Sequence, residues 1–140
     1  MHEIKFRGKR ADNGEWVYGS YQADVMSFGK HTIIYSDNEG FYCEDEVVPE
    51  TVGQYTGLKD RQGIKIYTRD MIKTCELVNE EKNKYVFQRY IVVFENGCFM
   101  AKNINDPCHR LMPLHEIIDD GPWVTVIGNR FDNPELLEAK

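Results

Sequence analysis

Turn signals interrupt this chain at intervals of roughly 8–12 residues, a spacing that leaves room for short strands and little else. Ile4-Lys5-Phe6-Arg7 alternates apolar and charged side chains, as a half-buried strand does. Asn13-Gly14 is a hairpin signal, since both residues tolerate positive φ, and it leads into Glu15–Tyr21. His31–Tyr35 predicts a third strand, and Asp37–Gly40 turns it into Phe41–Val48. Pro49–Leu58, with Gly53 and Gly57, predicts a tight irregular connection. Further strands are expected over Ile64–Tyr67, Met71–Leu77, Tyr85–Phe94, Cys98–Ala101 and Trp123–Ile127, with a corner at Thr68-Arg69-Asp70. A short helix is expected over Leu111–Asp119, with Pro113 in its first turn. Asn133 would cap one more helical turn that opens at Pro134. The pattern predicts a mainly β fold, a small barrel or packed sheets with one or two short helices.

The chain has 140 residues, one domain by length or two very small lobes. That length buries about 65–70% of the unfolded surface, so the fold requires no disulfide or metal. Aromatic residues make up 12% of the chain and favour the pleated surface of a sheet. The net charge is −6. Residues 36–50 contain six carboxylates and no Lys or Arg. Such a balance argues against general phosphate-backbone binding, which needs a basic footprint. The four cysteines form no C-x-x-C pair. The basic Met1–Arg10 is not followed by an apolar h-region, and no stretch nears the ~18 apolar residues of a membrane span. Reduced thiols, a cytoplasmic location and no membrane partner are the expectation.

Little in the chain carries chemistry. His2, His31, His109 and His115 show no ligand spacing, and the adjacent Cys108-His109 would point to opposite faces of a strand. Neither a metal nor a cofactor is expected. Glu44-Asp45-Glu46 with Glu50, and Glu116 with Asp119-Asp120, read as solvated acidic faces. A sharper variant has the acidic segment 36–50 mimic nucleic-acid phosphate and occupy a host protein's binding site. Cys98 and Cys108 lack a nucleophile elbow or an oxyanion-hole signature. Gly53 and Gly57 lie in G-Q-Y-T-G, without the Lys-Ser/Thr of a P-loop. Lys5, Arg7, Lys9 and Arg10 lie near Phe6, Trp16 and Tyr18, a combination that stacking platforms use. Alternation favours the plainer reading, with Phe6, Trp16 and Tyr18 facing the core and the cations facing water.

Three stretches together resemble the YopX family of phage and prophage proteins. They are Ile4–Arg7 with Trp16-Val17-Tyr18-Gly19, then Thr51–Asp60 with Gly63–Tyr67, and finally Val126–Asn129 with Asn133–Leu137. The resemblance implies a β-rich fold with an SH3-like portion, a β lobe over 1–57, an SH3-like lobe over 58–131 and a tail over 132–140. It implies no activity and transfers no catalytic residue. One position departs from the family pattern, because Arg69 stands where a glycine is usual. The corner there is expected to be αR, or strained at a cost of order 1 kcal/mol.

Three functions follow as expectations. The first is a non-catalytic interaction module whose protein partner meets Trp16, Tyr55 and Tyr67, since aromatics dominate interface energetics. The second is a nucleic-acid-associated factor with a basic stripe built from the N-terminal cations, Arg61, Lys65, Arg69 and Lys73. The third is a small enzyme that gathers Cys or His with carboxylates from distant positions. Free sheet edges would also favour a homo-oligomer.

Overall fold

The computed structural model describes residues 3–24, 29–119 and 123–138. His2 and Asp120, both weighed above as candidate ligands, lie outside the described residues. The chain divides into two compact units, residues 1–57 and 58–140. The strands form two open sheets.

In the first unit, β1 (Phe6–Lys9), β2 (Trp16–Asp24), β3 (Lys30–Ser36), β4 (Tyr42–Glu46) and β5 (Gly53–Lys59) lie in the order β4-β3-β2-β1-β5. The pairings β1–β2, β1–β5, β2–β3 and β3–β4 are antiparallel. The two halves of β2 have different partners. Trp16–Gly19 pair with β1, and Ser20–Asp24 pair with β3. After β4 the chain returns to β1 through an isolated bridge between Arg10 and Val47. A 3-10 turn over Pro49–Thr51 follows. Its Thr51 Oγ1 donates to the Val48 carbonyl at 2.6 Å and accepts the Lys9 N–H at 2.9 Å. Ile33, Val47 and Tyr55 are buried in this unit.

The strand β5 runs on into the second unit, where β6 (Lys65–Tyr67) is next to it in the sheet order. The second sheet has the order β10-β9-β8-β7-β11. Its strands are β7 (Asp70–Asn79), β8 (Lys84–Glu95), β9 (Cys98–Asn103), β10 (Leu111–Pro113) and β11 (Trp123–Asn129). The pairings among them are antiparallel. The helix α1 (Leu114–Asp119) contributes Leu114 and Ile117 to a core with Ile66, Ile72, Tyr90, Val92, Ala101 and Val124. Even-numbered positions of β7 and β8 therefore point into this core, and odd-numbered positions point away from it.

Several expectations need correction. Neither sheet closes into a barrel. Pro49–Leu58 is no irregular connection, since most of it is β5. The glycines misled that reading, yet Gly53 pairs with Arg7 in the ladder. Leu111–Pro113 form a strand against β9, and the helix begins only at Leu114. On an edge strand Pro113 can be tolerated, because its missing N–H can face away from the partner. The turn at Pro134–Leu137 exists, but Asn133 does not cap it. Its side-chain oxygen accepts the Asn129 N–H at 3.3 Å instead.

The corner at Arg69 is left-handed, with φ of 71°. Its N–H donates to the Val92 carbonyl at 2.7 Å, and its own carbonyl accepts the Arg130 N–H at 3.1 Å, so the backbone is held on both sides. A non-glycine residue pays about 1–2 kcal/mol for this conformation. The higher unfolded-chain entropy of glycine returns part of that. Arg69→Gly is therefore expected to stabilise the protein by about 0.5–1 kcal/mol, seen as a higher urea midpoint at constant m. A lower midpoint would mean that the Arg69 side chain contributes more than the strain costs.

Candidate functional site

The aromatics singled out from the sequence are distributed unequally. Tyr55 and Tyr67 are each only 4% exposed, so both are core residues and present no ring to a partner. Trp16 is half-buried, on the face of β1 and β2 that carries the N-terminal cations. Arg7 lies 4.6 Å from the Trp16 ring centre, Lys9 lies 5.4 Å from it, and Lys5 lies 5.9 Å from the Tyr18 ring. This overturns the reading that Trp16 and Tyr18 face away from the cations. Only Phe6 does so, packing against Tyr21 at 5.6 Å between ring centres. Arg10 is forked onto Asp12 at 3.1 and 3.0 Å, which satisfies its charge locally.

The acidic segment is structured by its own contacts. The Tyr35 hydroxyl donates to Asp45 at 2.6 Å, and this bond is the main reason that the phenol's pKa is pushed up to about 12. Among the described residues no three His, Cys, Asp or Glu side chains are grouped as a metal would require.

The central signature has a structural explanation at Asp60. This carboxylate is 6% exposed and accepts three backbone N–H groups: Gln62 at 2.8 Å, Ile64 at 2.9 Å and Val126 at 3.0 Å. It closes the β5–β6 turn, helped by Gly63 at φ 83°, and ties that turn to β11. Asp70 does similar work at the next corner, being 2% exposed and accepting the Tyr67 N–H at 2.8 Å.

The most distinctive surface was not among the expected sites. Cys75 on β7 is paired with Phe87 on β8 and with Trp123 on β11, and Leu77 is paired with Tyr85. All five positions are odd-numbered and share the face of the sheet opposite the core. There Trp123 is 59% exposed, Phe87 56%, Tyr85 51% and Leu77 42%. Two cations sit on these rings, with Arg61 3.5 Å from the Trp123 centre and Lys73 4.3 Å from the Phe87 centre. The sequence did carry a signal. β8 has apolar residues at both parities, Val86, Tyr90 and Val92 on one side and Tyr85, Phe87, Ile91 and Val93 on the other. An antiparallel strand with one solvated face would alternate apolar with polar.

The YopX protein family model matches residues 5–138. No curated protein matches the chain. Among solved structures, protein EF1440 from Enterococcus faecalis is similar with a TM-score of 0.57 and 20% identity, covering 99% of this chain and all (100%) of that one. Protein yopX from Bacillus subtilis is similar with a TM-score of 0.56 and 20% identity, covering 100% of this chain and 99% of its own. The three sequence stretches, the two-sheet fold and a family match over nearly the whole length agree, and the chain belongs to the YopX family.

Proposed function

We propose that the chain is a non-catalytic protein-interaction module, and that the outward face of β7, β8 and β11 meets the partner. The observation that carries this reading is the exposure of Trp123, Phe87, Tyr85 and Leu77 side by side on one face of a single sheet. Contiguous exposed apolar surface of this kind marks interaction sites, and aromatic anchors supply most of their binding energy. Four free cysteines fit a reducing, cytoplasmic setting. The family resemblance supports a role for the module in a phage or prophage.

A second reading takes the same rings as a stacking platform for single-stranded nucleic acid, because Arg61 and Lys73 lie beside them. Geometry favours protein over nucleic acid. A cation seated on a ring face occupies the surface on which a base would stack.

Capture from host lysate by the tagged protein, with and without nuclease and at two salt concentrations, separates the two. The expected result is a nuclease-insensitive protein partner whose capture is lost in the Trp123→Ala/Phe87→Ala variant. Each truncation at an interface centre weakens binding by about 2 kcal/mol, roughly thirtyfold. Both side chains are more than half exposed, so the variant should retain its fold. Capture undiminished by the double substitution would overturn the site. Recovery of nucleic acid that disappears as salt rises would establish the second reading.

A further inference from the structure

We propose that the second unit carries a separate small-molecule site, which takes a compact monocarboxylic acid with an apolar body. The site is a cavity of about 270 Å³. This lies just below the roughly 300–1,000 Å³ of drug-sized ligand sites and suits a smaller acid. Its apolar lining comes from Ile91 and Val93 on β8, Ile104 after β9, and Leu137 in the C-terminal turn. Ile91 and Val93 are odd-numbered, so they belong to the face opposite the core. Arg89 on the same face donates to the Glu138 carbonyl at 3.0 Å, which anchors the turn that brings Leu137 to the cavity.

The polar rim is cationic. Lys102, opposite Ile91 in the ladder, and Arg130 both line the cavity, and no carboxylate does among the described residues. Neither cation makes an ion pair or a side-chain hydrogen bond with the described residues, in a chain whose net charge is −6. Arg130 also lies near Arg69, whose guanidinium is held below its usual pKa chiefly by burial and then by Arg130. An anion placed here would relieve that repulsion. His109 completes the rim, held at φ 48° by its N–H to the Asp106 carbonyl at 2.8 Å. Its Nδ1 is 3.2 Å from the Asn103 carbonyl, which can only accept, so Nδ1 carries a hydrogen and the ring is fixed at the rim by that bond. Apolar walls with a few convergent polar groups are the usual design of a small-molecule site. The excess of positive charge selects an anion, and the apolar lining selects against a bare inorganic one.

Methyl and amide NMR titrations of the full chain with hexanoate, hexanol and inorganic phosphate test this. Hexanoate is expected to shift the Ile91, Val93, Ile104 and Leu137 signals saturably below roughly 10 mM, and hexanol to bind at least about tenfold more weakly. Arg130→Gln and Lys102→Gln should each weaken hexanoate about tenfold, the value of a charge-assisted bond, and leave hexanol unchanged. Arg130 is exposed and Lys102 half-buried, and the amide spectrum reports directly whether each variant is folded. Absence of any shift with hexanoate would overturn the proposal. So would equal binding of hexanol, which would remove the role of the cations. Phosphate shifting the same signals as strongly as hexanoate would remove the role of the apolar lining.

Discussion

Asp60→Ala is expected to cost about 3 kcal/mol and to lower the melting temperature by roughly 15 °C, the shift appropriate to a unit of this size. Hydrogen bonds to a charged acceptor are worth about 1.5–3 kcal/mol each, and this carboxylate accepts three. The full sum is not expected, because Gln62 and Ile64 are exposed and their N–H groups can turn to water. The Val126 N–H cannot do so as easily, being part-buried within the sheet. Asp60→Asn keeps one acceptor oxygen but presents an amide where the second had been, and should fall near the midpoint of the loss. Urea denaturation of the three proteins at constant m checks the order. The consequence reaches the proposed interaction face. Arg61 follows Asp60 and donates its N–H to the Val124 carbonyl at 3.0 Å, which places its guanidinium over Trp123. Loss of the Asp60 tie should therefore loosen that pair, and the Trp123 fluorescence of the folded variant should shift. A cost below about 1 kcal/mol would show that the Asp60 carboxylate is not what holds this turn to β11.

The strands were legible because turn chemistry is local. Asn96-Gly97 closes the β8–β9 hairpin with both residues at positive φ, as its dipeptide predicts. What local rules cannot supply is the identity of the buried face. Tyr55 and Tyr67 were read as surface anchors because aromatics dominate interfaces, but one lies in β5 and the other in β6 with its ring inside. Phe87 and Trp123 were passed over because each sits in an apolar run that looks like core on either side. Register decides these cases, and register depends on pairings between Cys75, Phe87 and Trp123, which lie far apart in sequence. The cavity was illegible for the same reason. Lys102, His109 and Arg130 come from β9, a loop and the turn after β11, and no spacing connects them. The departure at Arg69 was visible by contrast, but its conformation was open between αR and a strained corner, and the structure has the strained, left-handed one at φ 71°.

Gly19→Ala is expected to be at least as damaging in the first unit, for a reason that lies in backbone contact. Gly19 is the last residue of β2 paired with β1, opposite Phe6, and Ser20 is the first paired with β3, opposite Ile34. At this changeover the neighbouring strand passes close by. A Cβ on Gly19 would stand 2.2 Å from the Ile34 carbonyl oxygen and 3.0 Å from its carbon. A side chain could rotate away from such a clash, but a ladder carbonyl cannot without breaking the β2–β3 pairing. The comparison that isolates this effect is Gly8→Ala. There the three nearest atoms to the added methyl all belong to the Val47 side chain, at 3.0–3.1 Å. Overpacking against a side chain costs about 1–3 kcal/mol, so Gly8→Ala should fold with reduced stability. Gly19→Ala should cost about 3 kcal/mol or more. Amide hydrogen exchange reads the difference locally. Protection at Ser20–Gln22 and Thr32–Ile34 should collapse in Gly19→Ala and persist in Gly8→Ala. Equal protection in both would mean that the sheet accommodates the methyl by a small shift of β3. The close approach at Gly19 would then not be what fixes the course of β2 between its two partners.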